Sequence, residues 1–191
     1  TKSVRIHGSG NNLDKLNKLN ALCRRVCRET PEIEQAIADM QDIMAEPRYP
    51  TWVSYSGYGC VAVFFTLLFG GRLLDAIVAG LCGMALKSVS GILTARKVNI
   101  FFTNMLSSML LVLIPMFLCC LGLFVQTDRV VIGAVLLLVP GLAITNVMRD
   151  VIVGDFLTAV SKLAEVLIVA TALAIGISFA YSVTAYVLEV V

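Results

Sequence analysis

From Thr51 onward the chain is almost free of charge. Thr51–Gly71 holds no Asp, Glu, Lys or Arg in 21 residues, Val98–Thr127 none in 30, Val130–Met148 none in 19 and Val166–Leu188 none in 23. Leu73–Ala95 is broken only by Asp75 near its start and Lys87 late in it. A helix rises about 1.5 Å per residue, so about 20 apolar residues cross the roughly 30 Å hydrocarbon core of a bilayer. The pattern predicts five transmembrane helices, over about 53–71, 73–94, 99–125, 130–149 and 157–187.

Residues 1–50 read differently. Thr1–His7 alternates apolar and polar positions like a strand, and Gly8, Gly10 and Asn11 supply a turn. Leu13, Leu16, Leu19, Leu22, Cys23, Val26 and Cys27 then make a stripe at helical period. Thr30-Pro31 restarts a helix, as N-cap and first helical residue, with Ile33, Ile37, Met40 and Ile43 on its apolar face. The polar faces mix signs, so this pair reads as a soluble hairpin rather than as helices lying on the bilayer. Because the chain opens at Thr1 inside a strand pattern, we expect a natural N-terminus upstream that supplies the strand's partners. The fold class expected is an all-α integral membrane bundle of about five transmembrane helices over 51–191. A small cytoplasmic α+β portion, incomplete in this chain, covers 1–50.

Composition agrees. The chain is 58% hydrophobic and 15% charged, with a mean hydropathy of +0.88 and a net charge of +2. That balance argues against nucleic acid as a partner and for membrane lipid. Trp52, Tyr55 and Tyr58, with Tyr49, cluster at the start of the first span, and Tyr181 and Tyr186 at the end of the last, as an aromatic belt would. Ala76 and Gly80, and Ala172, Gly176 and Ala180, form small-residue ridges suited to close helix packing. The six cysteines make no CxxC pair and His7 is the only histidine, so no metal site or cofactor is expected. Basic residues favour one side: the head, Arg96, Lys97 and Arg149 against Arg72 and Arg129. The positive-inside rule then puts the N-terminus in the cytoplasm and Val191 outside.

Candidate chemistry lies where charge enters the apolar runs, because a central charge costs about 2.5–3.5 kcal/mol. Lys87 is one candidate, with snorkelling to the interface as its simpler reading. Asp155, Thr158, Lys162 and Glu165 share a helical face, and Lys162 and Glu165 are close enough to pair. In the fourth span Pro140-Gly141 should kink or interrupt the helix and free carbonyls, followed by Thr145, Asn146, Arg149 and Asp150. Broken helices with polar groups at the break are how many secondary transporters build a midplane site.

The run Pro140-Gly141-x3-Thr145-Asn146-x2-Arg149-Asp150-x3-Gly154-Asp155, then Lys162-x2-Glu165, resembles the signature of the bacterial threonine/serine exporter family. Asn12-Leu13-x-Lys15-Leu16 and Phe69-Gly70-Gly71-x3-Asp75 are similar to the same family's first membrane half. The resemblance implies an inner-membrane exporter whose long members join two five-helix halves. Short members, of the YjjP type associated with succinate export, pair with a separate small membrane subunit. It thus implies a partner five-helix subunit or a homo-oligomer, and a small polar or anionic substrate.

The function expected is half of a secondary-active, proton-coupled exporter of threonine/serine-type amino acids, or of a C4-dicarboxylate. Pro140, Gly141, Thr145, Asn146 and Arg149 would bind substrate; Asp150, Asp155, Lys162, Glu165 and Lys87 would serve coupling or gating. No GxxxxGK[ST] is present, so an ion gradient is the expected drive. An intramembrane enzyme lacks a nucleophile–base pair here. A non-transporting subunit that stabilises a partner is the other alternative.

Overall fold

The computed structural model describes residues 12–46 and 50–190. The strand expected over Thr1–His7, its turn and Tyr49 lie outside the described residues. Within them the structure is all-helical, with eight helices. These are α1 (Leu13–Glu29), α2 (Ile33–Ala45), α3 (Thr51–Leu68), α4 (Leu73–Ala95), α5 (Ile100–Cys120), α6 (Thr127–Val135), α7 (Gly141–Val153) and α8 (Phe156–Val190). Contacts divide the chain into two units, Thr1–Tyr49 and Pro50–Val191.

In the first unit α1 starts at Asn12, whose Oδ1 accepts from the Lys15 N–H at 3.1 Å. It ends where Thr30 turns left-handed, φ +42°, and donates its N–H to the Val26 carbonyl. Thr30 therefore closes α1 instead of opening α2, and Pro31 stands before α2 rather than at its first position. α1 and α2 pack on each other, yet neither buries a residue completely. Lys18 bridges Glu46 at 2.6 Å and Asp14 at 3.0 Å, Lys15 Nζ donates to the Met44 carbonyl, and Arg25 pairs with Asp39. Exposed pairs of this kind are screened by water and salt and hold the hairpin only weakly. Glu46 first, then Asp14, raises the Lys18 pKa above its usual 10.5. What these contacts contribute is present below that value and lost as pH climbs through the raised one.

In the second unit α3, α4, α5 and α8 over Phe156–Tyr186 are long and apolar enough to cross a membrane. The fourth expected span is not one helix. Over 130–149 the chain is α6, a non-helical stretch from 136 to 140, then α7. At 1.5 Å per residue α6 is about 13 Å long and α7 about 20 Å, so neither crosses alone. α5 also stops short of 125, because Gly122 is left-handed (φ +89°) and Leu123 donates back to the Leu118 carbonyl.

The core joins α3, α4, α5 and α6 through Ala62, Val78, Ala79, Cys82, Leu86, Leu111, Val130 and Ala134. A second cluster ties α5 and α6 to α8 through Val112, Val131 and Ala180. Two glycines set the closest approaches. A Cβ on Gly133 of α6 would lie 2.7 Å from the Thr66 nitrogen of α3, and one on Gly176 of α8 would collide with the Met105 carbonyl and Ser108 Oγ of α5. The aromatic belt is only partly a belt. Trp52 and Tyr186 are exposed, whereas Tyr55 accepts a bond from Ser88 Oγ and Tyr181 donates one to Asp128.

Gly176→Ala should destabilise the purified chain in detergent by about 1–3 kcal/mol, read as a lowered Tm. Ser108→Ala should not rescue it, since the Met105 carbonyl remains in the way. Gly91→Ala, which meets nothing within 4 Å, should leave Tm unchanged or slightly raised.

Candidate functional site

The α5–α6 linker and the helices around it hold a polar clasp that sequence reasoning assigned no role. Asp75, in the first turn of α4, is fully buried, and both its oxygens are used. Oδ2 accepts from the Arg72 N–H at 2.8 Å, and Oδ1 accepts from the Gln126 N–H, just before α6, at 2.8 Å. Arg129 donates to the Phe69 carbonyl at the end of α3, and Tyr181 of α8 donates to Asp128 at 3.1 Å. So the first turn of α6 is fastened to α3, α4 and α8. An acidic residue three positions into a helix, following Gly70-Gly71, is the sequence signal for such a cap.

The other end of α6 is the break. Val135 closes the helix, Leu137 and Leu138 bond back within the last turn, and Pro140 is the N-cap position of α7. The interruption expected from Pro140-Gly141 thus begins four residues earlier, at Leu136. Leu137 and Leu138 pack against the core that holds Leu86 and Leu111, near the middle of α4 and α5. The break therefore sits at mid-depth.

Beyond it α7 packs against α8 alone among the described helices. Gly154 (φ +89°) reverses the chain, and Asp155 caps α8, its Oδ1 accepting from the Thr158 N–H at 3.3 Å. Asp150 faces α8 with its side chain 11% exposed, and Oδ2 accepts from Lys162 Nζ at 2.6 Å. Lys162 therefore pairs with Asp150 across the hairpin and not with Glu165 on its own helix. Arg149 Nε lies 4.0 Å from Asp150 Oδ1, but the Arg149 side chain is 75% exposed. Asn146 and Glu165 are exposed too, and Thr145 Oγ1 turns back to the Gly141 carbonyl. Asn146 and Arg149 thus part from Asp150, which alone of the three is buried. Pro140 is half-buried and Gly141 exposed. Lys87 is not brought to this set. α4 touches neither α7 nor α8, and Lys87 Nζ sits 5.0 Å from the centre of the Tyr58 ring on α3.

Helix register fixes the depth of these groups. Gly176 lies against Met105 and Ser108, and Ala180 clusters with Val112, so α5 and α8 run parallel with an offset near 69 residues. Residues 156–168 of α8 then precede the first residue of α5, a length of about 20 Å. Asp150, Asp155, Lys162 and Glu165 belong to a hairpin at one end of the bundle, while α8 lies alongside α5 from about Val169 onward, within the uncharged run Val166–Leu188.

The sequence model of the family described as "Putative threonine/serine exporter" matches residues 1–184. The chain belongs to the threonine/serine exporter family. A Mycobacterium tuberculosis protein named "Probable threonine/serine exporter" is 24% identical over 177 residues, which cover 92% of this chain and 33% of that protein. The chain thus spans about a third of the length of the curated relative it matches. No solved structure matches it. Family membership and four helices suited to crossing a bilayer make this a multi-pass membrane protein of a transporter family.

Lys162→Met, which strands a largely buried carboxylate, should loosen the α7–α8 hairpin, seen as faster amide exchange over 141–156. The charge swap Asp150→Lys with Lys162→Asp should restore most of the protection. Equal exchange in all three proteins would show that the ion pair holds nothing.

Proposed function

We propose that the chain is a subunit or half of a secondary-active exporter in the bacterial inner membrane, with threonine and serine its first substrates. The observation that carries this reading is the helix broken at mid-depth inside a bundle of the exporter family. Unwound backbone within the membrane is tolerated only where protein or a watery cavity surrounds it, and transporters build their sites there. The α4–α5 turn with Arg96 and Lys97 and the α7–α8 hairpin with Arg149 share one end, and Arg72 and Arg129 mark the other. The positive-inside rule assigns the first end to the cytoplasm.

Substrate would then enter from the hairpin end. Arg149, exposed and only loosely engaged by Asp150, is the group for a substrate carboxylate, and Asn146 one turn before it adds hydrogen bonds. Asp150–Lys162 is the gating pair. Glu165 and Asp155, exposed carboxylates at the same mouth, are the groups through which a proton would couple. A second five-helix subunit or a second copy would complete the path. The relative's greater length is compatible with either.

Arg149→Ala should lower threonine export from reconstituted vesicles by roughly ten- to a hundredfold, the worth of a charge-assisted bond of about 1.5–3 kcal/mol. Glu165→Gln should remove the dependence on a pH gradient. Export that needs the chain but is indifferent to Arg149→Ala would instead identify a subunit that only stabilises its partner. Arg149-dependent export of succinate but not threonine would assign a C4-dicarboxylate.

A further inference from the structure

The break leaves oxygens without partners on two helices. Just past the end of α6, the carbonyls of Leu136, Leu137 and Leu138 receive no hydrogen bond among the described residues. Pro140 has no N–H for Leu136, and Gly141 donates to Val139 instead of Leu137. On α5, Ser107 is wholly buried and its Oγ has no partner among the described residues. Pro115, inside the same helix, brings no N–H to the Leu111 carbonyl.

Register brings these groups to one level. Cys119 Sγ donates to the Val125 carbonyl at the start of the α6 strand of chain, and Leu111 shares a core with Ala134. α5 and α6 are therefore antiparallel, so Leu138, four residues past Ala134, comes level with Ser107, four residues before Leu111. Ser107 lies on the stripe of Leu111, Ile114 and Leu118 that packs against α6. Thr103, also buried, extends the stripe by a turn.

The chemistry of that set is narrow. It offers neutral carbonyl and hydroxyl oxygens at the negative end of the α6 dipole. No carboxylate is among them, which disfavours a divalent ion. Lys87, at similar depth on α4, is engaged by Tyr58 of α3. We infer that the carbonyls ending α6 and the Ser107 hydroxyl form a binding site for a monovalent cation, either a sodium ion or the primary ammonium of a substrate. This site is separate from the Arg149 mouth, and its test reads binding and not transport. Failure of one reading therefore leaves the other standing.

The full chain, purified in lipid nanodiscs, is melted in rising NaCl against N-methyl-D-glucamine chloride at constant ionic strength. Wild type should show a saturable rise in Tm with sodium. Ser107→Ala and the near-isosteric Ser107→Cys should shift half-saturation at least tenfold higher, and Ser107→Thr should retain it. Without sodium, Ser107→Ala should melt no lower than wild type, because it removes a buried hydroxyl that has no partner. In sodium-free buffer, L-threonine is compared with N-acetyl-L-threonine. A Ser107-dependent shift by threonine alone assigns the site to the substrate's ammonium, and one by sodium assigns it to the free ion. If Tm responds to neither cation, or responds equally in Ser107→Ala, Ser107→Cys and wild type, the site does not exist.

Discussion

Within hydrocarbon a backbone N–H or C=O has no water to turn to, so each must be satisfied by the protein. Four helices of this chain meet most of that demand by being continuous, save for the carbonyl that Pro115 leaves free in α5. The return from the end of α5 to the start of α8 does not, because α6 stops at Val135 with the chain still at mid-depth. Such a stretch persists only if its surroundings hold it. Asp75 spends both carboxylate oxygens on backbone N–H groups, one in its own helix and one at Gln126. Arg129 and Tyr181 add side-chain bonds from the same turn, and Gly133 lets α6 lie directly on the backbone of α3 at Thr66.

The two halves of the interrupted span are therefore unlike. α6 is fastened at its first turn and packed among α3, α4 and α5. α7 rests on α8 only, joined to it by a left-handed Gly154 and by the Asp150–Lys162 pair. A firmly held half and a lightly held half thus meet at unwound backbone. Asp75 belongs to the first half and Lys162 to the second.

Run length made the membrane helices legible, since about 20 uncharged residues have few other uses. Pro140-Gly141 marked the interruption because proline's missing N–H is a local property. Its true start at Leu136 was not legible, for nothing in Leu136–Val139 distinguishes an apolar turn from an apolar helix. Lys162 looked paired with Glu165 because spacing along one helix is visible, whereas Asp150 reaches it only through the Gly154 reversal. Depth was hidden in the same way. α8 is one 35-residue helix, and only its register against α5 at Gly176 shows that its charged first part lies past the end of that helix. Ser107 was silent because one of several scattered hydroxyls in a 30-residue uncharged run reads as tolerated polarity until its partners are counted.

That register also accounts for where each kind of polar group is found. A charge near the centre of a bilayer costs about 2.5–3.5 kcal/mol, and much less where water or headgroups reach it. Arg149, Asp150, Asp155, Lys162 and Glu165 all lie in the hairpin beyond α5, where that cost falls and where exposed side chains can meet a charged solute. At mid-depth the unwound stretch and α5 present carbonyls and a hydroxyl, which carry dipoles but no net charge and so bear burial more easily, while the charge of Lys87 at similar depth lies over the Tyr58 ring.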